Sequence, residues 1–294
     1  TPKRWQADSD PDDRDPLSSV SRNLVLVTHG NTDSIYGGND FDDIARALAK
    51  VASEREVSDF TIGTLNWSQF AAGDEDRRFE AQGIGPTFFE SARFGQQYGR
   101  MVLDYFAEAG IMDPGGMASI DVIAHSNGNY VADAMFDVLA DPELSPFDGA
   151  RPALLFHTAL DAHTPPQEGK ATVLGSVPLI LRGGQPLGEL GDNSDVIEHY
   201  FSLGLLGTDG EDLLGGIDNA NRNFDITYYS DRGYQFASFL LPKDSHSFPV
   251  GYYLDSVLVF TDANETPTIS PDARLSAEEA LAVISNFGFA RSPL

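Results

Sequence analysis

The stretch SIDVIAHSNGNYVADAM, residues 119–135, decides the fold predicted for this chain. It begins with an apolar, β-branched run, which is typical of a strand buried in a sheet. The run stops at the pentapeptide AHSNG, and apolar residues at helical spacing follow directly. The stretch therefore predicts a strand, a tight turn centred on Ser126 and a helix.

The pentapeptide AHSNG at residues 124–128 has two interpretations. In the G-x-S-x-G nucleophile elbow, a strained strand-to-helix turn lifts the serine clear of the sheet. Ala124 replaces the first glycine of that pattern, and together with Gly128 it is small enough for strand and helix to approach closely. The alternative is an ordinary loop in which Ser126 caps the helix, since serine is a favoured N-cap residue.

The rest of the chain alternates short apolar runs with helical patterns. We predict strands at residues 23–28, 60–67, 152–159 and 225–230, with a further candidate at 236–241; residues 257–261 are either another strand or the end of a helix. Helices are predicted at residues 40–52, at 86–109 and from the elbow to about Leu139. This alternation predicts an α/β fold with one doubly wound, mostly parallel sheet.

The predicted domain organisation has one main unit. Residues 1–22 are acidic, interrupted by proline and poor in apolar residues, so we expect a flexible N-terminal arm before a domain over 23–294. Residues 162–224 are too many for a structureless loop, which predicts an inserted cap, either an apolar flap over a site or extra core packing. Residues 263–294 contain an amphipathic pattern and are expected to form a C-terminal helical segment.

The charge of the chain argues against a nucleic-acid or anionic-membrane partner. The net charge is −26, with 31 aspartates and 14 glutamates against 15 arginines and 4 lysines. Nucleic acids bind clustered basic residues, so we expect no nucleic-acid partner. Scarce lysine and abundant aspartate indicate adaptation to high salt, which screens the self-repulsion. The chain has no cysteine, which excludes disulfides, thiolate metal sites and a cysteine nucleophile.

Location and cofactors are predicted from simpler features. No apolar run approaches the roughly 20 residues of a membrane span, so no integral membrane segment is expected. The sequence begins at Thr1 rather than Met, which favours removal of a leader and secretion; the cytoplasm of a salt-accumulating organism is the alternative. Acidic stretches at 39–43 and 209–212 lack the spacing of a twelve-residue calcium loop. We expect no metal or other cofactor.

A nucleophilic serine requires a general base, and the base requires a carboxylate that fixes its tautomer and stabilises its charge. In the chain order serine, acid, histidine, the base comes last. His246 follows a predicted strand and precedes an aromatic segment expected to be helical, so it is the predicted general base. Asp161 and Asp231 each directly follow a predicted strand, and both are candidates for the acid. Either one is equally consistent with a loop-capping aspartate on a very acidic protein.

The other five histidines are expected to have different roles. His29 ends the first predicted strand and belongs to a loop that supplies an oxyanion donor, and His125 flanks the serine. His157 lies within an apolar strand, where we expect a hydrogen-bonded core histidine. His163 and His199 fall in the predicted insertion, where we expect them to be exposed.

Five segments in this order resemble the motifs of lipases of the α/β-hydrolase superfamily. They are VTHGN at 27–31, TLNWS at 64–68, AHSNG at 124–128, ALDAHTPP at 159–166 and HSFPVGYY at 246–253. The order is most similar to the pancreatic-type lipases, and the A-H-S-x-G form of the elbow resembles small bacterial lipases. The resemblance implies an α/β-hydrolase fold.

The resemblance also implies a catalytic set. Asp161 occupies the position of the family's triad acid, although Ala162 stands where the family has proline. The oxyanion donors would be the backbone N–H groups of Asn31 and Asn127. With Ser126 as nucleophile and His246 as base, the expected activity is hydrolysis of small-molecule, lipid or polymer esters without a cofactor.

Two other classes remain open at the level of sequence. The fold can serve as a binding scaffold that has lost catalysis, since fold does not determine function. A thioesterase or peptidase would use the same triad with a different leaving group. A complete, ordered triad argues against the scaffold, and leaving-group preference separates the enzymes.

Overall fold

The computed structural model describes residues 3–5, 16–30, 40–54, 56–67, 84–162, 172–174, 177–179, 190–201, 221–225, 249–254 and 257. The strands are β1 (Lys3–Trp5), β2 (Asn23–Thr28), β3 (Phe60–Leu65), β4 (Ser119–His125), β5 (Leu154–Leu160), β6 (Thr172–Leu174), β7 (Val177–Leu179), β8 (Val196–Phe201) and β9 (Arg222–Asp225). The helices are α1 (Asp40–Glu54), α2 (Ile84–Glu108) and α3 (Asn129–Ala140), with short 3₁₀ turns at Pro114–Gly116 and Ser126–Gly128. Residues 249–254 are also helical.

Seven strands form one sheet in the order β1-β3-β2-β4-β5-β8-β9. All neighbouring pairs are parallel except β1 with β3, which are antiparallel at the edge. Strands β6 and β7 pair separately as an antiparallel hairpin. From β2 the chain continues to β3 on one side and then to β4 on the other. The boundary between β2 and β4 is therefore a topological switch point, where open α/β sheets bind their ligands.

Helices cover both faces of this sheet, which explains why its central strands are continuous apolar runs. On one face, α1 and the helical residues 249–254 pack over Val25, Val27 and Ile123. On the other face, α2 and α3 pack over residues such as Leu26 and Val122. Burial of each large apolar side chain contributes roughly 1.5–3 kcal/mol, so this double layer holds the strand ends in place.

Helix α2 packs unusually close to α3 because of two glycines. A Cβ atom on Gly99 would lie 2.4 Å from the backbone oxygen of Val131, and one on Gly95 would lie 3.2 Å from that of Asn127. The backbones therefore approach at a distance that only glycine permits. The helix predicted at 86–109 is confirmed, and it packs against the turn that contains Ser126 and Asn127.

The predicted N-terminal arm is wrong for the part of 1–22 that the structure describes. Lys3–Trp5 form strand β1 and pair with β3, and Leu17 is fully buried against the α2 side of the core. Three residues at a sheet edge give too short a pattern to stand out in a polar segment.

The predicted insertion over 162–224 is also wrong in part. Strand β8 lies within it and belongs to the main sheet next to β5, while the hairpin β6-β7 is separate from that sheet. The buried residues Glu198 and His199 interrupt the apolar pattern of β8, so this segment has no apolar run that would predict a strand.

Several other predictions concern the end of the chain. The segment after His246 was expected to be helical, and residues 249–254 are. The strand predicted at 236–241 and the C-terminal segment 263–294 lie outside the described residues.

Within the described ranges, no helix combines the length and the apolar character needed to span a bilayer.

Candidate active site at the end of strand β4

The turn between β4 and α3 is strained at Ser126. The φ angle of Ser126 is +52°, in the left-handed region that residues other than glycine rarely adopt. An N-cap residue has extended backbone angles and uses its side chain to accept from the first helical turn. Gly128 stands at the cap position of α3 instead, with no side-chain cap hydrogen bond. The interpretation of Ser126 as a helix cap is therefore wrong, and the strained turn is confirmed.

The small residues of the pentapeptide have the steric role that the sequence predicted. A Cβ atom on Gly128 would lie 2.5 Å from the backbone oxygen of His29 and 3.3 Å from a side-chain atom of Thr28. The start of α3 thus passes directly over the carboxyl end of β2. Ala124 is fully buried, and it pairs in register with Thr28 on one side and Ala159 on the other. Ser126 lies at the switch point between β2 and β4.

Asp161 occupies the equivalent position on the neighbouring strand. His125 and Leu160 are paired in register as the last residues of β4 and β5, so Ser126 and Asp161 follow at adjacent strand ends. Adjacent strands are roughly 4.8 Å apart. Asp161 is 1% exposed with a φ of +43°, and its N–H donates to the backbone oxygen of Tyr200 at 2.7 Å. The structure brings the nucleophile candidate and this acid candidate to one edge of the sheet.

His29 organises the end of β2 beside the elbow. Its Nε2 accepts from the backbone N–H of Trp67 at 3.1 Å, so its proton is on Nδ1, which lies 2.7 Å from the backbone oxygen of Gly30. The indole N–H of Trp67 donates to the backbone oxygen of His29 at 2.6 Å, and the two rings stack at 5.7 Å. His29 is thus committed to local structure, in agreement with its exclusion as the base.

The two flanking residues of the serine are buried. The ring of His125 packs against Phe41 of α1 with ring centres 5.7 Å apart. Asn127 is fully buried in the turn, and its backbone N–H directly follows the serine, where an elbow supplies an oxyanion donor. Asn31, His246 and Asp231 lie outside the described residues, and their roles stay predictions.

Two histidines lie in the core below the elbow. His157 is fully buried in β5, as predicted, and its Nε2 hydrogen-bonds Oδ1 of Asn129 at 2.9 Å. His199 is fully buried in β8, so its expected exposure is wrong; its Nε2 accepts from the N–H of Ala162 at 3.1 Å. Burial, and secondarily the neighbouring His199, lower the pKa of His157 to about 3. His157 is therefore neutral at physiological pH.

The carboxyl group of Asp121 is buried on the face of β4 opposite to the one that α3 covers. The hydroxyl of Thr158 donates to Oδ1 of Asp121 at 3.3 Å. Burial raises the pKa of Asp121 well above its ordinary value; the Thr158 hydrogen bond opposes this shift and the charge of Glu198 adds to it. Because Asp121 lies in the middle of the strand, five residues before Ser126, it is separate from the edge that carries Ser126 and Asp161.

The acidic residues considered for calcium have a different role where they are described. Asp42 and Asp43 lie in the first turn of α1, where negative charge favours the helix dipole. Asp43 also forms an ion pair with Arg46 at 3.1 Å. Over the described part of the chain, no cluster of three or more histidine or carboxylate side chains is arranged to hold a metal ion.

Comparisons with known proteins leave the site to be interpreted from its own geometry. No protein-family model matches this chain, and no curated protein sequence matches it significantly.

Proposed function

We propose that this chain is a serine hydrolase of the α/β-hydrolase type that cleaves carboxylic esters. The observation that carries the proposal is the left-handed φ of +52° at Ser126, directly after a central parallel strand at the switch point of the sheet. A strained serine in this position is what the nucleophile elbow requires. Strain of this kind persists where the surrounding structure enforces it, and it is concentrated at active sites.

The position of Asp161 supports the same proposal. A triad acid is buried, because its charge must orient and stabilise one histidine rather than face water. Asp161 is buried at the strand end adjacent to that of Ser126. It precedes His246 in the chain, in the order serine, acid, histidine of the α/β-hydrolases.

The proposed mechanism has two steps. Oγ of Ser126 attacks the acyl carbon while His246 accepts its proton, and the alcohol leaves with that proton as the acyl-enzyme forms. Water then attacks the acyl-enzyme with His246 again as base, which releases the acid and restores the serine. Asp161 holds the imidazole of His246 in the required tautomer.

The oxyanion of each tetrahedral intermediate needs preorganised donors. The N–H of Asn127 follows the nucleophile at the start of α3, so it adds the favourable end of a helix dipole to its own hydrogen bond. Asn31, two residues after His29, is proposed as the second donor. Removal of one such donor typically costs about 10²–10³ in kcat.

The test is hydrolysis of a short and a long p-nitrophenyl ester by the wild type and by Ser126→Ala, in high salt. A second serine supplies the matched control: Ser145→Ala, in the loop after α3. We expect hydrolysis by the wild type and Ser145→Ala, and background rates for Ser126→Ala. An inert wild type, or a Ser126→Ala variant as active as the wild type, would contradict the proposal. An inert wild type would favour the binding scaffold.

A further inference from the structure

Two buried polar side chains connect the elbow to the core below it. Nδ2 of Asn129, the first residue of α3, donates to the backbone oxygen of Ser126 at 2.8 Å, and the backbone N–H of Asn129 donates to the same oxygen. On its other side, Oδ1 of Asn129 lies 2.9 Å from Nε2 of His157. Both side chains are fully buried. The backbone of Ser126 is thus tied to strand β5 through Asn129.

The chemistry of the groups sets the direction of each hydrogen bond. A carbonyl oxygen only accepts, so the atom of Asn129 that faces Ser126 is the amide nitrogen. Its Oδ1 then faces His157 and requires a proton on Nε2. Because burial keeps His157 neutral, with its pKa lowered to about 3, the ring carries this single proton and Nδ1 is bare.

The bare nitrogen has an energetic cost. Nδ1 of His157 is buried and has no hydrogen-bond partner within the described residues. A buried polar atom without a partner destabilises the folded state, a cost that a leucine in this apolar strand would avoid. The position therefore holds a histidine at the expense of stability, as functional positions do.

The anchored oxygen belongs to the same peptide group as the N–H of Asn127. In a planar trans peptide the C=O and N–H bonds point in opposite directions. Two donors on the oxygen of Ser126 therefore also fix the direction of the Asn127 N–H. Hydrogen bonds to the carbonyl polarise the peptide, which strengthens its N–H as a donor.

We infer that Asn129 and His157 are positioning residues that aim the N–H of Asn127 at the oxyanion. The inference rests on the proposed function, since it assigns a second layer to that same site. Neither residue touches the reacting atoms. Their effect is expected in the transition state and not in substrate binding, because the oxyanion forms only there.

The experiment compares three variants. Asn129→Asp keeps the size and the acceptor for His157 but loses the N–H that Ser126 accepts. His157→Leu removes the donor that orients the amide of Asn129. His157→Gln restores an amide N–H near the position of Nε2. For each we measure kcat and KM on the p-nitrophenyl ester, the melting temperature, and Ki for a trifluoromethyl ketone whose oxyanion adduct mimics the intermediate.

A control with the same chemistry exists at the opposite end of the sheet. Asn23 donates from Nδ2 to the backbone oxygen of Asp59 at 3.2 Å and accepts at Oδ1 from Ser119 at 2.8 Å. Asn23→Asp likewise keeps the acceptor, here for Ser119, and loses the N–H that donates to a backbone oxygen, far from Ser126. It reports the effect of lost stability alone.

We expect kcat to fall roughly 10- to 100-fold in Asn129→Asp and His157→Leu, a fraction of the full loss of an oxyanion donor, with KM changed less than about threefold. Ki for the ketone should weaken in proportion to kcat. His157→Gln and Asn23→Asp should keep at least a third of the wild-type kcat. Because Asn129→Asp is isosteric, it decides the question by itself if His157→Leu fails to fold.

Three results would overturn the inference: a kcat of Asn129→Asp within threefold of the wild type, a change confined to KM, or an equal loss in Asn23→Asp. Its failure is distinguishable from failure of the proposed function. If Ser126→Ala is inactive and Asn129→Asp is fully active, only the positioning role is wrong. If the wild type does not hydrolyse esters, both are wrong.

Discussion

Four residues other than glycine have a left-handed backbone in the described part of the chain, and they form two pairs. Glu56 and Asp148, with φ near +55°, lie in exposed turns. Ser126 and Asp161, with φ of +52° and +43°, are buried at the ends of the adjacent strands β4 and β5. The left-handed conformation costs such residues roughly 1–2 kcal/mol in either setting.

The two pairs differ in what maintains the strain. The turn of Asp148 is exposed, and Gly149 follows with a φ of +76°. At the strand ends, buried contacts hold the backbone: Gly128 lies against β2, Asn129 donates to the oxygen of Ser126, and the backbone oxygen of Tyr200 accepts from the N–H of Asp161. Strain that the core enforces at two neighbouring positions is the pattern on which the proposed roles of Ser126 and Asp161 rest.

Replacement by glycine separates strain from function most strongly at Ser126. Glycine relieves the strain, so Ser126→Gly should raise the free energy of unfolding by about 1 kcal/mol while ester hydrolysis falls by on the order of 10⁴-fold or more. Asp148→Gly should give a similar gain in stability with unchanged activity. Thermal unfolding and initial rates of both variants test this. Residual activity in Ser126→Gly above background would contradict the role of Ser126 as the nucleophile.

Asp161 and Asp148 offer a matched pair of aspartates. Asp161→Asn should reduce kcat by about 10²–10⁴-fold, because the amide no longer stabilises the imidazolium of His246. Asp148→Asn keeps a residue that tolerates the left-handed region and should leave kcat unchanged. Steady-state kinetics decide the matter. Equal activities would remove Asp161 from the triad, and a large loss in Asp231→Asn would assign the acid there.

The close approach at Gly128 is tested by adding one methyl group. In Gly128→Ala the new Cβ would meet the backbone of His29 at 2.5 Å, so β2 and α3 must move apart. We expect a loss of about 1–3 kcal/mol in stability, together with reduced activity. The control is Gly251→Ala in the helical residues 249–254, where no described atom lies within 4 Å. Denaturant unfolding of both variants should show a loss only for Gly128→Ala.

Buried and exposed acids should also differ in their effect on stability at different pH. Burial raises the pKa of Asp133 on α3 to about 8; the charges of Asp137 and Asp192 add to this, and the hydrogen bond from Gly191 opposes it. In the unfolded chain this acid loses its proton near pH 4, whereas the folded protein retains it up to about pH 8. Stability therefore falls as pH rises through this window.

Asp133→Asn keeps the acceptor for Gly191 but does not titrate. It should raise the melting temperature by a few degrees at pH 8–9 and change it little near pH 4. Asp104→Asn, on the exposed side of α2, is the control for the loss of one carboxylate. Melting curves across this range test the expectation. A gain at pH 4 as large as that at pH 9 would contradict it.

The smallest effect is expected at Asn127. Its proposed contribution comes from the backbone N–H, which alanine also has. Asn127→Ala should therefore keep kcat within about tenfold of the wild type. A loss as large as that of Ser126→Ala would show that its side chain takes part in the chemistry.

The parts of the fold that follow one simple pattern were predictable from the sequence. The run NLVLVT became strand β2 without change, because a strand buried on both faces needs an unbroken apolar run. Strand β8 was missed since Glu198 and His199 are buried inside it, and their burial depends on partners in other strands. A strand with such buried polar residues lacks the apolar run from which it could be predicted.

The candidate site likewise has one part that was predictable from the sequence and one that was not. The strained turn at Ser126 was predictable because the steric need for small neighbours is local. The contact of Asn129 with His157 was not, because it depends on how α3 lies over β5, 28 residues later in the chain. A histidine inside an apolar strand indicated a buried hydrogen bond, but the sequence did not identify its partner.

The most direct test of Ser126 as an activated nucleophile is the site of modification by a fluorophosphonate, which requires no knowledge of the natural substrate. An activated serine Oγ attacks the phosphorus and fluoride leaves, so the adduct remains for mapping by mass spectrometry. We expect one phosphonyl group per chain, on Ser126, which is lost in Ser126→Ala and retained in Ser145→Ala. An unmodified folded protein, or modification at another residue, would contradict it.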